Sequence, residues 1–388
     1  MKVGDGGKAR ESASNDAPVL HVGTPNVGDR EIFLQYVNQM LDRGWLTNNG
    51  PLVQLFEQRV ADYVGVKHCV AACNGTVALE IAIRAMGLTG EVILPSYTFV
   101  ATAHAVQIQN LTPVFADIDP ATHQIDPESV ARCISPSTSA IIGVHLWGQA
   151  SPVQPLQALA AQHGLQLLFD AAHAFGCSTG GKMIGQFGRA EVFSFHATKF
   201  FNSFEGGALV TNDDTLAESA RLMRNFGFSG VDQVAQLGTN GKMVEICAAM
   251  GLTNLASVDR FVAVNRRNYL AYRDALAGVA GIRLYPYNEA ERTNYQYIVI
   301  EVGPDSVATR DEIVDSLRAA NVLARRYFWP GCHRMQPYVE LYPEAGRQLP
   351  NTEMVAARVV VLPTGLSVTV ADVEAIAQRI RRLAAGIA

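Results

Sequence analysis

The feature that most constrains how this chain can fold is an alternation. Short apolar runs at Cys69–Asn74, Glu91–Pro95, Pro113–Asp117, Ala140–Leu146, Leu165–Asp170, Val192–Phe195 and Ala208–Thr211 are separated by stretches with helical spacing, among them Val77–Met86, Thr102–Gln109, Pro155–His163 and Thr215–Phe226. A strand that is apolar throughout is covered on both faces, and a helix between two such strands supplies the cover. The pattern therefore predicts an α/β fold with a large, mostly parallel sheet of seven strands. Residues 28–65 read as two leading helices, with Phe33, Val37 and Leu41 on one apolar face and Val53, Phe56 and Val60 on the next. Beyond residue 240 the texture changes. A long helical stretch covers Glu245–Ala280, strands follow at Tyr295–Val302 and Val359–Leu362, and helices at Arg310–Ala320 and Ala371–Ala385, which predicts a smaller C-terminal α/β domain. The expected division is a loose polar tail at 1–17, a large domain at 18–250 and a small one at 251–388.

In an open parallel sheet, ligands gather outside the carboxyl ends of the strands. Those ends read Asn74-Gly75-Thr76, Pro95-Ser96-Tyr97-Thr98-Phe99, His145-Leu146-Trp147-Gly148, Asp170-Ala171-Ala172-His173 and Ser194-Phe195-His196-Ala197-Thr198-Lys199. A carboxylate closing an apolar run, as Asp170 does, needs an N–H or cationic partner. A helix cap or an ion pair supplies one. So does a pyridinium nitrogen, whose protonation makes the ring of pyridoxal phosphate an electron sink. Lys199 is either a solvated surface lysine or, desolvated at the rim, an amine with a lowered pKa that attacks an aldehyde and then moves a proton. Gly75 and Thr76 open a helix, where free N–H groups suit a phosphate, and Ser194 either adds a hydroxyl to that phosphate or caps a turn. Phe99 stacks on an aromatic cofactor or packs in the core, and His173 covers such a ring or starts a helix. Each residue has a plain structural reading, but their succession at consecutive strand ends points to one site.

Composition excludes other classes. With 31 Lys and Arg against 36 Asp and Glu the net charge is −5, which argues against general affinity for a nucleic-acid backbone. No run of 18 apolar residues predicts a membrane span. Met1–Ala17 lacks the apolar centre of a secretory signal, so a cytoplasmic protein with its 6 cysteines reduced is expected, and the Asn110-Leu111-Thr112 sequon is not expected to carry a glycan. No Cys/His pattern has zinc spacing, so no metal is expected. Gly176–Lys182 matches part of a P-loop, but Met183 stands where magnesium binding needs Ser or Thr. Gly180-Gly181 reads better as a hairpin turn, which disfavours a P-loop nucleotidase.

The linked segments Asp170-Ala171-Ala172-His173-Ala174-Phe175-Gly176, Phe193-Ser194-Phe195-His196-Ala197-Thr198-Lys199 and Phe204-Glu205-Gly206-Gly207 resemble those of the DegT/StrS family of sugar aminotransferases, as do Pro95–Thr102 and Gly238–Met243. The resemblance spans residues 20–385. It implies fold type I and pyridoxal phosphate, alternating with pyridoxamine phosphate, as cofactor. Lys199 would be the Schiff-base lysine and proton shuttle, Asp170 the partner of the ring nitrogen, His173 the neighbour of the ring hydroxyl and Phe99 the stacking ring. Gly75, Thr76 and Ser194 would hold the phosphate, and Asn240 would reach the phosphate of a neighbouring subunit, implying a homodimer with shared sites. Tyr327, His333 and Tyr338 lie in the stretch that approaches the sugar nucleotide in relatives, and Trp147 would help shape that cavity. Arg224, Arg325 and Arg326 are candidates for a diphosphate. The expected reaction aminates a dTDP-linked keto-sugar, dTDP-4-keto-6-deoxy-D-glucose at C4, with L-glutamate as donor, because Arg325–His333 resembles antibiotic-pathway 4-aminotransferases. Amination at C3 of a dTDP-3-keto-6-deoxyhexose is the alternative. A sugar dehydratase of this fold would carry histidine in place of Lys199.

Overall fold

The computed structural model describes residues 19–387, so the tail expected at 1–17 lies outside the described residues. Two helices lead, α1 (Arg30–Arg43) and α2 (Pro51–Val64). Asp29 accepts the first N–H groups of α1, Pro51 opens α2 where its missing N–H costs nothing, and left-handed Gly44 and Gly65 end the two helices. Val53, Phe56 and Val60 are buried as their spacing predicts. Leu41 is not: it is 59% exposed, and Met40 takes the inward position, one residue out of step with the predicted face.

The seven strands are β1 (His68–Ala72), β2 (Glu91–Pro95), β3 (Thr112–Ala116), β4 (Thr138–Val144), β5 (Gln166–Asp170), β6 (Ala190–Ser194) and β7 (Gly207–Thr211). They form one sheet in the order β1-β7-β6-β5-β4-β2-β3, parallel except for β7, which runs antiparallel to both its neighbours. Side chains alternate between faces along each strand. Ile93, Ile141, Phe169 and Phe193 pack with α2. Val92, Leu94, Ile142, Leu168 and Leu209 pack on the opposite side, against α3 (Gly75–Ala85), α4 (Val100–Gln107) and the helix Asp214–Met223. A helix at Pro127–Cys133, absent from the sequence reading, and the expected one at Val153–His163 complete the layers.

The stretch 245–280 is two helices, Glu245–Leu255 and Val258–Leu276, broken at Ala256-Ser257. The first is buried on almost every side, and its Glu245 carboxylate accepts the N–H groups of Leu52 and Val53 at the start of α2. The second is amphipathic and packs on a smaller antiparallel sheet of β8 (Ile282–Leu284), β9 (Ile298–Val302) and β10 (Val359–Leu362). Helices Arg310–Ala319 and Val370–Ala384, each opened by a capping box, cover that sheet. A further helix at Pro350–Arg358, not read from sequence, leads into β10. Gly180 and Gly181 turn the hairpin between Ser178–Thr179 and Lys182–Met183 with positive φ, so Gly176–Lys182 is no P-loop. Among the described residues no helix is long and apolar enough to cross a membrane.

Candidate active site

A cavity of about 540 Å³ opens at the carboxyl ends of the large sheet. Asp170 closes β5 and is buried. Its Oδ1 accepts the Ala172 N–H at 3.0 Å and its Oδ2 accepts the Thr102 hydroxyl at 2.8 Å. Burial nevertheless pushes its pKa up, against the pull of those two bonds and of Lys199 and His145. The carboxylate thus faces the cavity short of positive charge. His173 is buried and neutral, its pKa driven far down by desolvation and by Lys199. Its Nδ1 is a buried atom with no hydrogen-bond partner.

The far end of the cavity is a cradle. The Asn74 side chain accepts the Val77 N–H at 2.8 Å and sets the start of α3, leaving the N–H groups of Gly75 and Thr76 as the ones an anion would meet. Gly75 is required by close packing: a Cβ there would lie 2.9 Å from Ser194 Cβ. Ser194 ends β6 beside this turn, so Gly75, Thr76 and Ser194 line one end of the cavity together. Phe99, directly before α4, lines the same cavity with 55% of its surface exposed, a ring face left uncovered by the protein.

Lys199 lines the same cavity, half-buried, with Nζ 3.2 Å from the Tyr297 hydroxyl. Desolvation lowers its pKa to about 8, while Asp170 and Tyr327 pull the other way. Tyr297 precedes β9 and faces the large sheet across the cavity. Its backbone N–H and carbonyl both meet the Tyr287 hydroxyl, at 3.3 and 2.8 Å, and its ring lies 4.6 Å from that of His173. Tyr297, Thr102 and Phe328 belong to the site but were not singled out from sequence. Thr102 enters the sequence reading only as the end of the Pro95–Thr102 segment and the start of the Thr102–Gln109 helical stretch, and Tyr297 falls inside an ordinary strand expected at Tyr295–Val302.

The residues that the resemblance implicates divide. Gly75, Thr76, Phe99, Asp170, His173, Ser194, Lys199 and Tyr327 all line the one cavity. Three expected near substrate do not. Trp147 is fully buried behind it, stacked at 5.3 Å on Phe328 and 6.0 Å from His173. His333 is turned away: its Nδ1 lies 2.7 Å from Ser96 Oγ and its Nε2 3.3 Å from Glu353. Tyr338 is buried with its hydroxyl 2.6 Å from His104 Nδ1. Both are corrected to supports of the wall behind the cavity, because their polar atoms are already occupied. Asn240 is exposed outside this cavity and accepts from Lys242 Nζ at 2.5 Å. Of the three arginines, Arg224 is committed to Glu57 and Arg326 to Asp311 and Asp315. Arg325 alone reaches the cavity.

These residues fit pyridoxal phosphate on the structure's own terms. An anion cradle, an uncovered aromatic face, an orphaned imidazole nitrogen, an under-compensated carboxylate and a lysine of lowered pKa match the phosphate, ring face, ring oxygen, ring nitrogen and aldehyde of that one molecule. Fold and site together define a fold type I aminotransferase dependent on pyridoxal phosphate. Comparison with known proteins gives the particular group: residues 28–381 match the DegT/DnrJ/EryC1/StrS aminotransferase family, and the chain belongs to it. It is 35% identical to a dTDP-4-amino-4,6-dideoxy-D-glucose transaminase of Shigella dysenteriae, over 94% of this chain and 99% of that one. It is also 35% identical to a GDP-perosamine synthase of Caulobacter vibrioides, over 93% and 97%. The crystal structure of DesI in the presence of its TDP-sugar product superposes with a TM-score of 0.89 at 46% identity, covering 94% of this chain and 93% of that one.

Proposed function

We propose that this enzyme aminates dTDP-4-keto-6-deoxy-D-glucose at C4, giving the 4-amino-4,6-dideoxy sugar with L-glutamate as amino donor, as a step of deoxyamino-sugar assembly for antibiotics. The observation that carries the transfer is Lys199, an amine of pKa about 8 lining the same cavity as Asp170. C4 and dTDP are supported by the transaminase named for that product and by DesI with its TDP-sugar.

Bound here, pyridoxal phosphate supplies a sink for the electron pair of a substrate C–H bond. The chain's residues do the rest. Asp170, fixed by Thr102 and the Ala172 N–H, keeps a negative charge where a protonated ring nitrogen would lie. Gly75, Thr76 and Ser194 hold the phosphate end, and Phe99 fixes the ring plane. Lys199, partly in its free-base form near neutral pH, would take the proton from the donor's Cα and pass it to the cofactor within the first half of the cycle, and would carry a proton the opposite way, to C4 of the sugar, in the second. Tyr297 keeps the Lys199 amine over the cavity between transfers.

A homodimer belongs to the same reading, with Asn240 reaching the phosphate of the partner's site. It is supported by the exposed apolar side chains next to Asn240: Phe226, Phe228, Val231, Val234 and Leu237. Residues 18–250 would carry the cofactor, and residues 251–388 would close over it. The test is spectroscopic, then chemical. L-Glutamate should bleach the visible band of the yellow, cofactor-loaded protein. The resulting form should aminate the dTDP-4-keto sugar in preference to its GDP counterpart and to 3-keto isomers. A colourless protein that takes up no cofactor would overturn the reading; amination at C3 would overturn its regiochemistry.

A further inference from the structure

Trp147 is the largest fully buried side chain among the described residues, and burial obliges its indole N–H to find an acceptor. The acceptor is His123 Nδ1, at 3.2 Å. His123 lies between β3 and the helix Pro127–Cys133. It is itself buried, with the rings of Tyr97 and Tyr285 at 5.9 and 4.9 Å. An indole only donates, so Nδ1 is the bare nitrogen, and Nε2 carries the proton and donates it to Glu301 Oε1 at 2.9 Å. Glu301 belongs to β9 and also pairs with Arg283 of β8. Burial pushes the Glu301 pKa up, but His123 and Arg283 more than offset that and hold it below the usual carboxylate value. A polar line thus runs from Arg283 through Glu301 and His123 to Trp147, joining the smaller sheet to the rings behind the cavity.

The line ends on the active site. Trp147, Phe328 and His173 are three nearly parallel rings, tilted by 12°, 15° and 19° in the pairs Trp147–Phe328, Phe328–His173 and Trp147–His173. Phe328 and His173 line the cavity, as does Tyr297, which meets Trp147 edge-on at 5.2 Å. The His173 Nδ1 has no hydrogen-bond partner, so the plane of that imidazole is set by the rings packed on it. Trp147 and His123 each hold a left-handed backbone at φ 59°, a conformation that a bulky side chain seldom adopts, and the Tyr287 hydroxyl secures the Trp147 carbonyl at 2.9 Å. Such strain persists only where the surroundings over-determine a residue, and here they over-determine the indole.

We propose that His123 is a positioning residue for the transamination: by accepting the Trp147 N–H it fixes the indole plane, and through that plane the ring of His173 against the cofactor. This rests on the reading of His173 as the neighbour of the cofactor's ring oxygen. A purely structural His123 would cost stability when replaced and leave the cofactor's environment as it was.

Two substitutions separate the two bonds of His123. Asparagine places an oxygen where histidine has Nδ1, so His123→Asn keeps the acceptor for Trp147 and gives up Glu301. Glutamine places its amide where histidine has Nε2, so His123→Gln keeps Glu301 and gives up Trp147. Three properties are read. One is the near-ultraviolet circular dichroism of the cofactor-free protein, in which Trp147 is fully buried while Trp45 and Trp329 are about half exposed. The others are the pH midpoint of the visible band of the loaded protein and the unfolding temperature. His123→Gln should alter the dichroism, move the midpoint by about half to one pH unit and slow bleaching by L-glutamate about three- to tenfold, the scale of one hydrogen bond. His123→Asn should keep the dichroism, midpoint and bleaching rate of the wild type. On a Trp147→Phe background, which has no N–H to satisfy, His123→Gln should move the midpoint no further. A lowered unfolding temperature with an unmoved midpoint in His123→Gln overturns the inference. So does an effect of His123→Asn as large as that of His123→Gln, or a further shift in the double variant. If His123→Gln does not fold alone, recovery on the Trp147→Phe background supports the bond to Trp147, and failure there too overturns it. His173→Ala tests the reading beneath: an unmoved midpoint in that variant takes His173 away from the cofactor. A moved midpoint there, beside an unmoved one in His123→Gln, leaves His173 in place and strikes only the role of His123.

Discussion

The two walls of the cavity are built by different rules. One is the rim of the large sheet. Asp170 and Ser194 close β5 and β6, whose pairing sets them side by side along the rim, and Gly75 and Lys199 follow shortly after the ends of β1 and β6. The other wall is Tyr297, Arg325, Tyr327 and Phe328, which come from the lead-in to β9 and from the irregular chain after Val322–Leu323. Ring packing holds it: Phe328 stacks at 5.3 Å on Trp147 and 4.9 Å on Tyr327, and the Tyr97 hydroxyl donates to the Tyr327 carbonyl at 2.7 Å. A sheet rim places atoms on a grid that tolerates little change, so it suits the invariant demands of the cofactor. A packed aromatic loop can be rebuilt one ring at a time, so it suits the part of the site that meets varied substrates.

The sharpest way to break this contrast is at the rim. On the roles proposed for it, Lys199→Ala removes both the amine that would hold the cofactor and the base that would move the proton. Turnover should fall by about 10⁴-fold or more, with loss of the yellow colour. Retained colour with retained turnover would move the chemistry to some other residue.

Next in size is an effect of pH. An ordinary lysine amine titrates at 10.5, and here desolvation brings it to about 8. The free base is the reactive form and its fraction rises with pH. Capture of pyridoxal phosphate by cofactor-free enzyme should therefore accelerate from pH 6 upward and level off above about 8. At neutral pH the depressed value makes the free base about 300 times more abundant than at an unshifted lysine. A capture profile still climbing at pH 10 would show that Lys199 is solvated and undepressed.

Asp170→Asn comes third. It leaves the shape but removes the charge proposed to retain a ring proton, and should lower kcat by about 10²-fold or more with KM little changed. Thr102→Val deletes one hydrogen bond to the same carboxylate and should lower kcat by about tenfold or less. A Thr102→Val effect equal to that of Asp170→Asn would mean that Thr102 touches the reacting atoms itself.

The same contrast explains what could be read from the sequence. A polar residue closing an apolar run is conspicuous, so Asp170, Ser194 and Lys199 stood out, and the seven strands themselves were marked by runs too apolar to face water. Tyr297 closes nothing: it is one more apolar-looking residue at the head of a strand, and its importance lies in the Lys199 amine almost a hundred positions away. Arg224, Arg325 and Arg326 look alike in sequence. They are sorted only by tertiary partners, Glu57 for the first and Asp311 and Asp315 for the last. The break at Ala256-Ser257 was hidden for a similar reason. Helical spacing continues through it, and what changes is the surroundings, from burial on nearly all sides to a single buried face.

The smallest effects test the second wall from behind. His333 and Tyr338 sit in the segment that resemblance assigned to the sugar nucleotide, yet their polar atoms face Ser96, Glu353 and His104. The His333 N–H donates to Ser96 Oγ at 3.1 Å, so the serine hydroxyl is free to donate back to Nδ1. Burial lowers the His333 pKa and keeps the ring neutral for that role. Tyr338→Phe should cost about 0.5–1.5 kcal/mol of stability, the ordinary net worth of one hydrogen bond, and leave kcat and both KM values unchanged. His333→Ala should cost more, about 1–3 kcal/mol, because it leaves the Ser96 hydroxyl unsatisfied. Thermal unfolding alongside steady-state kinetics separates the outcomes. A raised KM for the keto-sugar in Tyr338→Phe, at unchanged stability, would put that hydroxyl in the substrate site and show that the wall is one layer thinner than its packing indicates. Loss of stability alone would confine specificity to the front layer of Tyr297, Arg325, Tyr327 and Phe328. Changing the substrate would then require rebuilding rings on that layer and leaving the sheet rim as it is.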